Sequence, residues 1–249
     1  VKDVMSKNPK VIDKDARIAE AFEIMEKKNI SQLIVVDNGK TVGLLSDLEL
    51  MDRLGSSKLG NISPAGIHVS GVMREISIFV NPEDDITYVA KTMLREKLPA
   101  LPVLEDDNIT GVISYFDTIK PCVKIENIKV YDLFSTIVPT IKPEDRVVNA
   151  RRILLENQLI GLPVIYEDQL VGLLTQRMVA KAMIAFREVV PSKHQDARIK
   201  HLIVQDIMLQ DPPAFDMEMK ISEAAQYMIS KLYRCIPVLN EKNKVVGIL

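Results

Sequence analysis

Apolar positions recur along this chain at fixed intervals. An apolar pair opens each of four stretches: Val4-Met5, Val72-Met73, Leu133-Phe134 and Ile207-Met208. Thirteen residues past the second member stand Ile18, Ile86, Val147 and Ile221, and seven further on Met25, Met93, Leu154 and Met228. Eighteen more residues lead to Gly43, Gly111 and Gly172, and nineteen lead to Gly247 in the fourth stretch. Matching gaps in four stretches mark an internal repeat, which has to be recognised before any local pattern is interpreted. The extra residue of copy four falls in the polar run Asn240-Glu241-Lys242-Asn243, where a turn absorbs it.

Each copy predicts the same elements. A short extended piece comes first: Lys10-Val11-Ile12, Ile78-Phe79-Val80, Thr140-Ile141 and Ala214-Phe215. Acidic clusters follow (Asp13-Lys14-Asp15, Pro82-Glu83-Asp84-Asp85, Pro143-Glu144-Asp145), suited to a helix N-terminus, where carboxylates complement the dipole. Ile18, Ala21, Phe22 and Met25 then form an i, i+3, i+4, i+7 face. Ile86, Val89, Ala90 and Met93 repeat it, as do Ile221, Ala224, Ala225 and Met228. Two β runs come next, Leu33–Val36 and Thr41–Leu45 in copy one, with Asn38-Gly39 between them as a hairpin signal. Pro102, Pro163 and Pro237 lie in the first of these runs, which predicts edge or strand-start positions. A second helix closes the unit, clearest from Met178 to Phe186.

The unit therefore reads β-α-β-β-α, an α/β chain of the α+β type. A block of about 50 residues with one apolar sheet face cannot bury that face alone, so copies should pack in pairs. The boundaries predicted are 1–60, 69–122, 130–186 and 204–249, giving modules 1–122 and 130–249. The joins vary. They are Gly55-Ser56-Ser57 through Ser70, a tight link from Lys124 to Lys129, and a longer helical stretch through Lys200.

Composition narrows the function. The 249 residues carry 32 basic and 34 acidic side chains, no tryptophan and 5% aromatics, so neither a nucleic-acid footprint nor a base-stacking platform is expected. No apolar run approaches the roughly 18 residues that span a bilayer, and the first residues do not resemble a signal peptide. Cys122 and Cys235 lack CxxC spacing and predict inert thiols in a reducing cytoplasm.

These features together resemble the cystathionine-β-synthase (CBS) domain family, in four tandem copies covering nearly the whole chain. The resemblance rests on the Val-Met opening, the Leu-Pro-Val strand and the Val-Gly-Leu/Ile-Leu/Ile-Ser/Thr ending. It implies two pseudo-twofold Bateman modules, similar to those of the nucleotide-sensing subunit of AMP-activated kinase. It also implies clefts that bind AMP, ADP, ATP or S-adenosylmethionine.

The family motif Gly-h-h-Ser/Thr-x-x-Asp, with h apolar, is complete in copy two as Gly111-Val112-Ile113-Ser114-Tyr115-Phe116-Asp117. Under the resemblance, Asp117 accepts the two hydroxyls of a ribose diol. Ser114 and free N–H groups hold phosphate, and adenine lies between Ile78-Phe79-Val80 and Ala100-Leu101-Pro102. Ser-x-x-Asp also resembles a capping box, so a purely structural reading stands beside this one. Copy one has Ser46 and Glu49, the usual capping-box pair, as a weaker second site. Copy three has Thr175 followed by Met178, so the acid is gone and Thr175 reads as an N-cap. Copy four ends at Gly247-Ile248-Leu249, ahead of the motif.

Other polar groups add less. Lys181, Arg187, Lys193, Arg198 and Lys200, with His194 and His201, gather in the third join. Glu188 and Asp196 dilute them, and a solvated helical face is the expectation. His194 and His201 are too far apart for an i, i+4 metal pair, so no metal is expected. Arg151 replaces an inward residue of the first helix; of two readings, lining an anion cleft or snorkelling, snorkelling is the expectation. Met25, Met93 and Met228 read as packing residues.

No phosphate-binding GxxxxGK[ST], Gly-x-Ser-x-Gly or HExxH occurs, and the repeats consume nearly every residue. The reading is a non-enzymatic regulatory sensor. It uses no cofactor, takes an adenosine nucleotide or S-adenosylmethionine as regulatory ligand, docks an unidentified regulated protein and pairs as a homodimer. The alternative is a protein–protein adaptor whose ligand sites have decayed.

Overall fold

The computed structural model describes residues 1–56, 62–106, 108–135 and 138–249, apart from the side chains of residues 192, 196, 197 and 200. Ser57, the neighbouring positions to 61 and the side chains of Asp196 and Lys200 lie outside the described residues.

Copy one runs β1 (Ser6–Lys7), β2 (Val11–Asp13), α1 (Ile18–Lys28), β3 (Gln32–Asp37), β4 (Lys40–Ser46) and α2 (Asp47–Leu54). Copy two runs β5 (Arg74–Glu75), α3 (Ile86–Glu96), β6 (Ala100–Glu105), β7 (Asn108–Ser114) and α4 (Tyr115–Thr118). Copy three contributes α5 (Val147–Glu156), β8 (Gly161–Tyr166), β9 (Gln169–Thr175) and α6 (Gln176–Val189), and α7 (Gln195–Arg198) follows in the third join. Copy four contributes β10 (Leu209–Gln210), β11 (Phe215–Asp216), α8 (Ile221–Lys231), β12 (Pro237–Leu239) and β13 (Val245–Ile248). The architecture is the α+β repeat that the pattern predicts.

Local chemistry explains the differences between copies. In copy one the Ile34 N–H donates to the Lys10 carbonyl at 3.1 Å, and β2 forms a parallel ladder with β3. Pro102 and Pro163 hold the same position in copies two and three and have no N–H to give. The leading strand there shrinks to single bridges, Val80 to Val103 and Ile141 to Val164. Both prolines sit on outer strands, in the sheet orders β1-β7-β6 and β10-β9-β8, while Pro237 begins β12. The Asn38-Gly39 hairpin is a two-residue turn with both residues at positive φ, 48° and 79°, as a type I′ turn requires.

The acids ahead of the helices play different parts. Only Asp85 caps its helix, accepting from the Thr87 and Tyr88 N–H groups. Asp84 and Asp145 instead brace the preceding turns, accepting the Asn81 and Lys142 N–H groups at 2.8 and 2.9 Å. Elsewhere a carbonyl from a join satisfies the first helical N–H. Ile18 donates to Ile67, Val147 to Leu202 and Ile221 to Ile128, at 2.9–3.0 Å.

The chain forms two compact units, Val1–Leu50 with Ile62–Pro121, and Met51–Asn61 with Cys122–Leu249. In unit one the two copies exchange their leading strands: β1 pairs with β7, and β5 pairs with β4. In unit two β10 pairs with β9, and Ser135 bridges Ile248. The exchange explains the spacing of the repeat. A Cβ on Gly111 would lie 2.6 Å from the Met5 sulfur, on Gly43 2.8 Å from that of Met73, and on Gly172 2.5 Å from that of Met208. On Gly247 it would strike the Phe134 ring and lie 2.5 Å from the Ser135 carbonyl.

Above this contact the cores close. Ile34, Leu44, Ala100 and Val112 fill the seam of unit one, and Leu173, Cys235 and Ile248 pack together in unit two. Ile18, Ala21, Phe22 and Met25 bury the predicted face of α1. Met93 and Met228 are likewise buried, each such side chain contributing roughly 1.5–3 kcal/mol.

Overpacking at the glycine contact should destabilise by about 1–3 kcal/mol. Gly247→Ala should cost more than Gly111→Ala, because an aromatic ring and a carbonyl yield less than a methionine tip. Urea denaturation checks the order.

Candidate functional site

The junction between β7 and α4 holds the motif residues of copy two. Ser114 is the last residue of β7 and stands opposite Ala100 in the β6–β7 ladder. Its N–H and Oγ donate to Asp117 Oδ2 at 2.9 and 2.7 Å, so the capping box forms with Asp in the acidic position. The other oxygen, Oδ1, accepts from Ser6 Oγ at 3.2 Å and from Lys120 Nζ at 2.7 Å. Lys120 also donates to the Val4 carbonyl at 2.6 Å. Ser6 and Val4 belong to the exchanged arm of copy one, so the arm swap assembles this cluster. Asp117 is 2% exposed and its charge is balanced by Lys120.

The predicted slot residues divide. Val80, Ala100 and Pro102 are buried. Val80 packs in the core of copy two with Met93, Leu101 and Ile113, while Ala100 faces the seam beside Ile34 and Leu44. Ile78 is half-buried on the same core, and Phe79, one residue along the alternation, is 38% exposed. Within this set, open surface is left at Ile78 and Phe79. The helix that follows Ser114 spans four residues, and so short a run of aligned peptides makes a weak dipole for phosphate capture.

The weaker sites are capped. Ser46 Oγ donates to Glu49 and accepts the Leu48 N–H, and both side chains are buried. Burial pushes the Glu49 carboxyl above the usual range, against the hydrogen bond from Ser46 and the charge of Arg74. Thr175 caps α6 through the Met178 N–H, as its position predicts.

Two arginines depart from expectation within unit two. Arg151 does not snorkel: it donates to the Met51 and Asp52 carbonyls and pairs with the Asp52 carboxylate at 2.7 Å. Arg187 is buried and donates to the Leu54 carbonyl at 2.9 Å, so the third join is not a uniformly solvated helical face. That join is also broken into short helical turns, Ser192–His194, α7 and Ile199–His201. Buried Cys235 has its thiol pushed up to about 12 by desolvation, and Cys122 is raised by the same cause. Among the described residues no group of three or more His, Cys, Asp or Glu side chains could hold a metal, and no helix is long and apolar enough to cross a membrane.

Sequence reasoning passed over Lys120 and Ser6. Lys120 stands three residues after Asp117, a spacing that brings helical side chains together. Ser6 has no local signal, being 111 residues away.

Exchanged arms and an apolar seam define a paired-repeat module, with a Ser-x-x-Asp junction in copy two. Residues 1–56, 69–121, 130–185 and 204–249 each match the CBS domain, and the chain belongs to that family. It is 26% identical over 216 residues to an inosine-5'-monophosphate dehydrogenase of Korarchaeum cryptofilum, a match that covers 87% of this chain and 38% of that enzyme. It is 25% identical over 197 residues to protein MJ1225 of Methanocaldococcus jannaschii, covering 73% of this chain and 69% of that protein. The crystal structure of MJ1225, a candidate archaeal homologue of g-AMPK, has the same fold, with a TM-score of 0.83 at 23% identity over 100% of this chain and 96% of that one.

Because the folded state binds the Glu49 proton more tightly, this group stabilises the fold fully below the usual carboxylate range and loses that contribution as pH rises through its raised value. Glu49→Gln should therefore gain stability over the parent at pH 7 but not near pH 4, as read from urea midpoints at the two values.

Proposed function

We propose that this chain is a non-enzymatic sensor that binds an adenosine-containing ligand at the copy-two junction and transmits the bound state to a regulated protein. The observation that carries it is the complete Gly-h-h-Ser-x-x-Asp junction of copy two, in a chain of four CBS domains. In this reading Asp117 takes the ribose diol, Ser114 holds its turn, and the exposed edge at Ile78 and Phe79 meets the adenine. Val80, in the core that Ile78 packs against, and Pro102, whose carbonyl accepts from the Val80 N–H, support that edge; Ala100 closes the seam, and Ser46, Glu49 and Thr175 serve as caps. The ligand is AMP, ADP, ATP or S-adenosylmethionine, and the sensor works in the cytoplasm as a homodimer. Sensing follows if the ligand prefers one arrangement of the exchanged arm over another.

A second reading, the adaptor with decayed sites, is favoured by one observation: Asp117 already has four hydrogen-bond donors. Calorimetry separates the two, since an adaptor gives no binding heat with any adenosine compound.

For the sensor, a ligand at a hundred times its Kd should add about 2.7 kcal/mol to unfolding. Asp117→Asn should remove most of that increment. The variant's ligand-free stability should also fall, by about 1–3 kcal/mol, because the Lys120 ion pair is lost. Melting with and without ligand, each variant against its own baseline, reads both effects.

A further inference from the structure

We infer that Lys120 sets the charge of the ligand, so that the copy-two junction takes adenosine phosphates in preference to neutral or cationic adenosine compounds. The inference rests on the ribose-binding reading of Asp117 and deepens it. An ionised carboxylate offers about four acceptor positions. At Asp117 four donors fill them: the Ser114 N–H and Oγ on one oxygen, and Ser6 Oγ and Lys120 Nζ on the other. A ribose diol needs two of these positions.

Those on Oδ2 are fixed by the turn that starts α4. Those on Oδ1 can yield. The Ser6 bond is the longest of the four at 3.2 Å, and the Lys120 side chain is 34% exposed on a flexible four-carbon stem. Once the diol has replaced them, the ammonium of Lys120 has lost its carboxylate partner while remaining close to the sugar, tethered by the Val4 carbonyl. An anionic group on the ribose supplies a new partner. A neutral nucleoside leaves the ammonium uncompensated, and a sulfonium sets a second positive charge beside it. With Lys120 about one-third exposed, the pairing is only partly screened at low salt, so the difference is felt as affinity there and weakens as salt is added.

The test is titration calorimetry of the full chain with AMP, adenosine and S-adenosylmethionine. The parent should bind AMP about tenfold or more tightly than either other compound, the scale of one charge-assisted contact. That margin should shrink as sodium chloride is raised from about 50 to about 500 mM. Lys120→Met should bring the three affinities together, and Lys120→Arg should keep the preference. Equal affinities in the parent, or a preference that survives in Lys120→Met, would overturn the role of Lys120 and leave ribose binding standing. No heat with any of the three compounds would overturn ribose binding and this inference together. Should Lys120→Met fail to fold, the parent's ranking and its salt dependence decide.

Discussion

A large flexible or aromatic side chain of one repeat lies against a glycine of its partner, and the partner returns the contact. Met5 covers Gly111 and Met73 covers Gly43 in unit one, while Met208 covers Gly172 and Phe134 covers Gly247 in unit two. Two-residue strands beside three of these contacts, and the single Ser135–Ile248 bridge beside the fourth, could not hold a sheet edge on their own. They persist because the side chain just before each one fills a hole that only glycine leaves open. The apolar seams of Ile34, Leu44, Ala100 and Val112, and of Leu173, Cys235 and Ile248, then close over positions the arms have already set.

The same exchange determines the electrostatics of the junction. Residues of the copy-one arm bring a hydroxyl and a carbonyl to the start of the last helix of copy two, where the buried Asp117 pairs with the partly exposed Lys120. A buried carboxylate without such partners would be strongly destabilising, so the arm and the acid depend on each other. Oδ1 of Asp117 is thus a point where polar contacts join the arm of copy one to the end of copy two.

Buried polar groups elsewhere follow a similar logic. Glu49 is held by the hydroxyl of Ser46, and Arg187 gives its guanidinium to the carbonyl of Leu54. Arg151 finds two carbonyls and a carboxylate where its helix position suggested a side chain reaching for water. In each case the partner, rather than the residue type, decides whether a polar side chain can be placed inside.

Much of the fold was legible in the sequence because its determinants are local. The period of α1, the Asn38-Gly39 turn and the edge placement of Pro102 and Pro163 each follow from a few adjacent residues and their backbone limits. Even the repeat anchors were visible, although the reason for them, a side chain on a glycine in the next copy, was not. The candidate site was legible only in part: Ser114 and Asp117 form a local motif, whereas the acceptors of Asp117 are filled by Ser6 from 111 residues away and by Lys120. Periodicity and turn chemistry are properties of neighbours along the chain, and the sequence alone sufficed for them. Which copy lends its arm to which, and so which hydroxyl reaches Asp117 and which carbonyl reaches Lys120, is decided by packing between distant segments, and only the tertiary structure settles it.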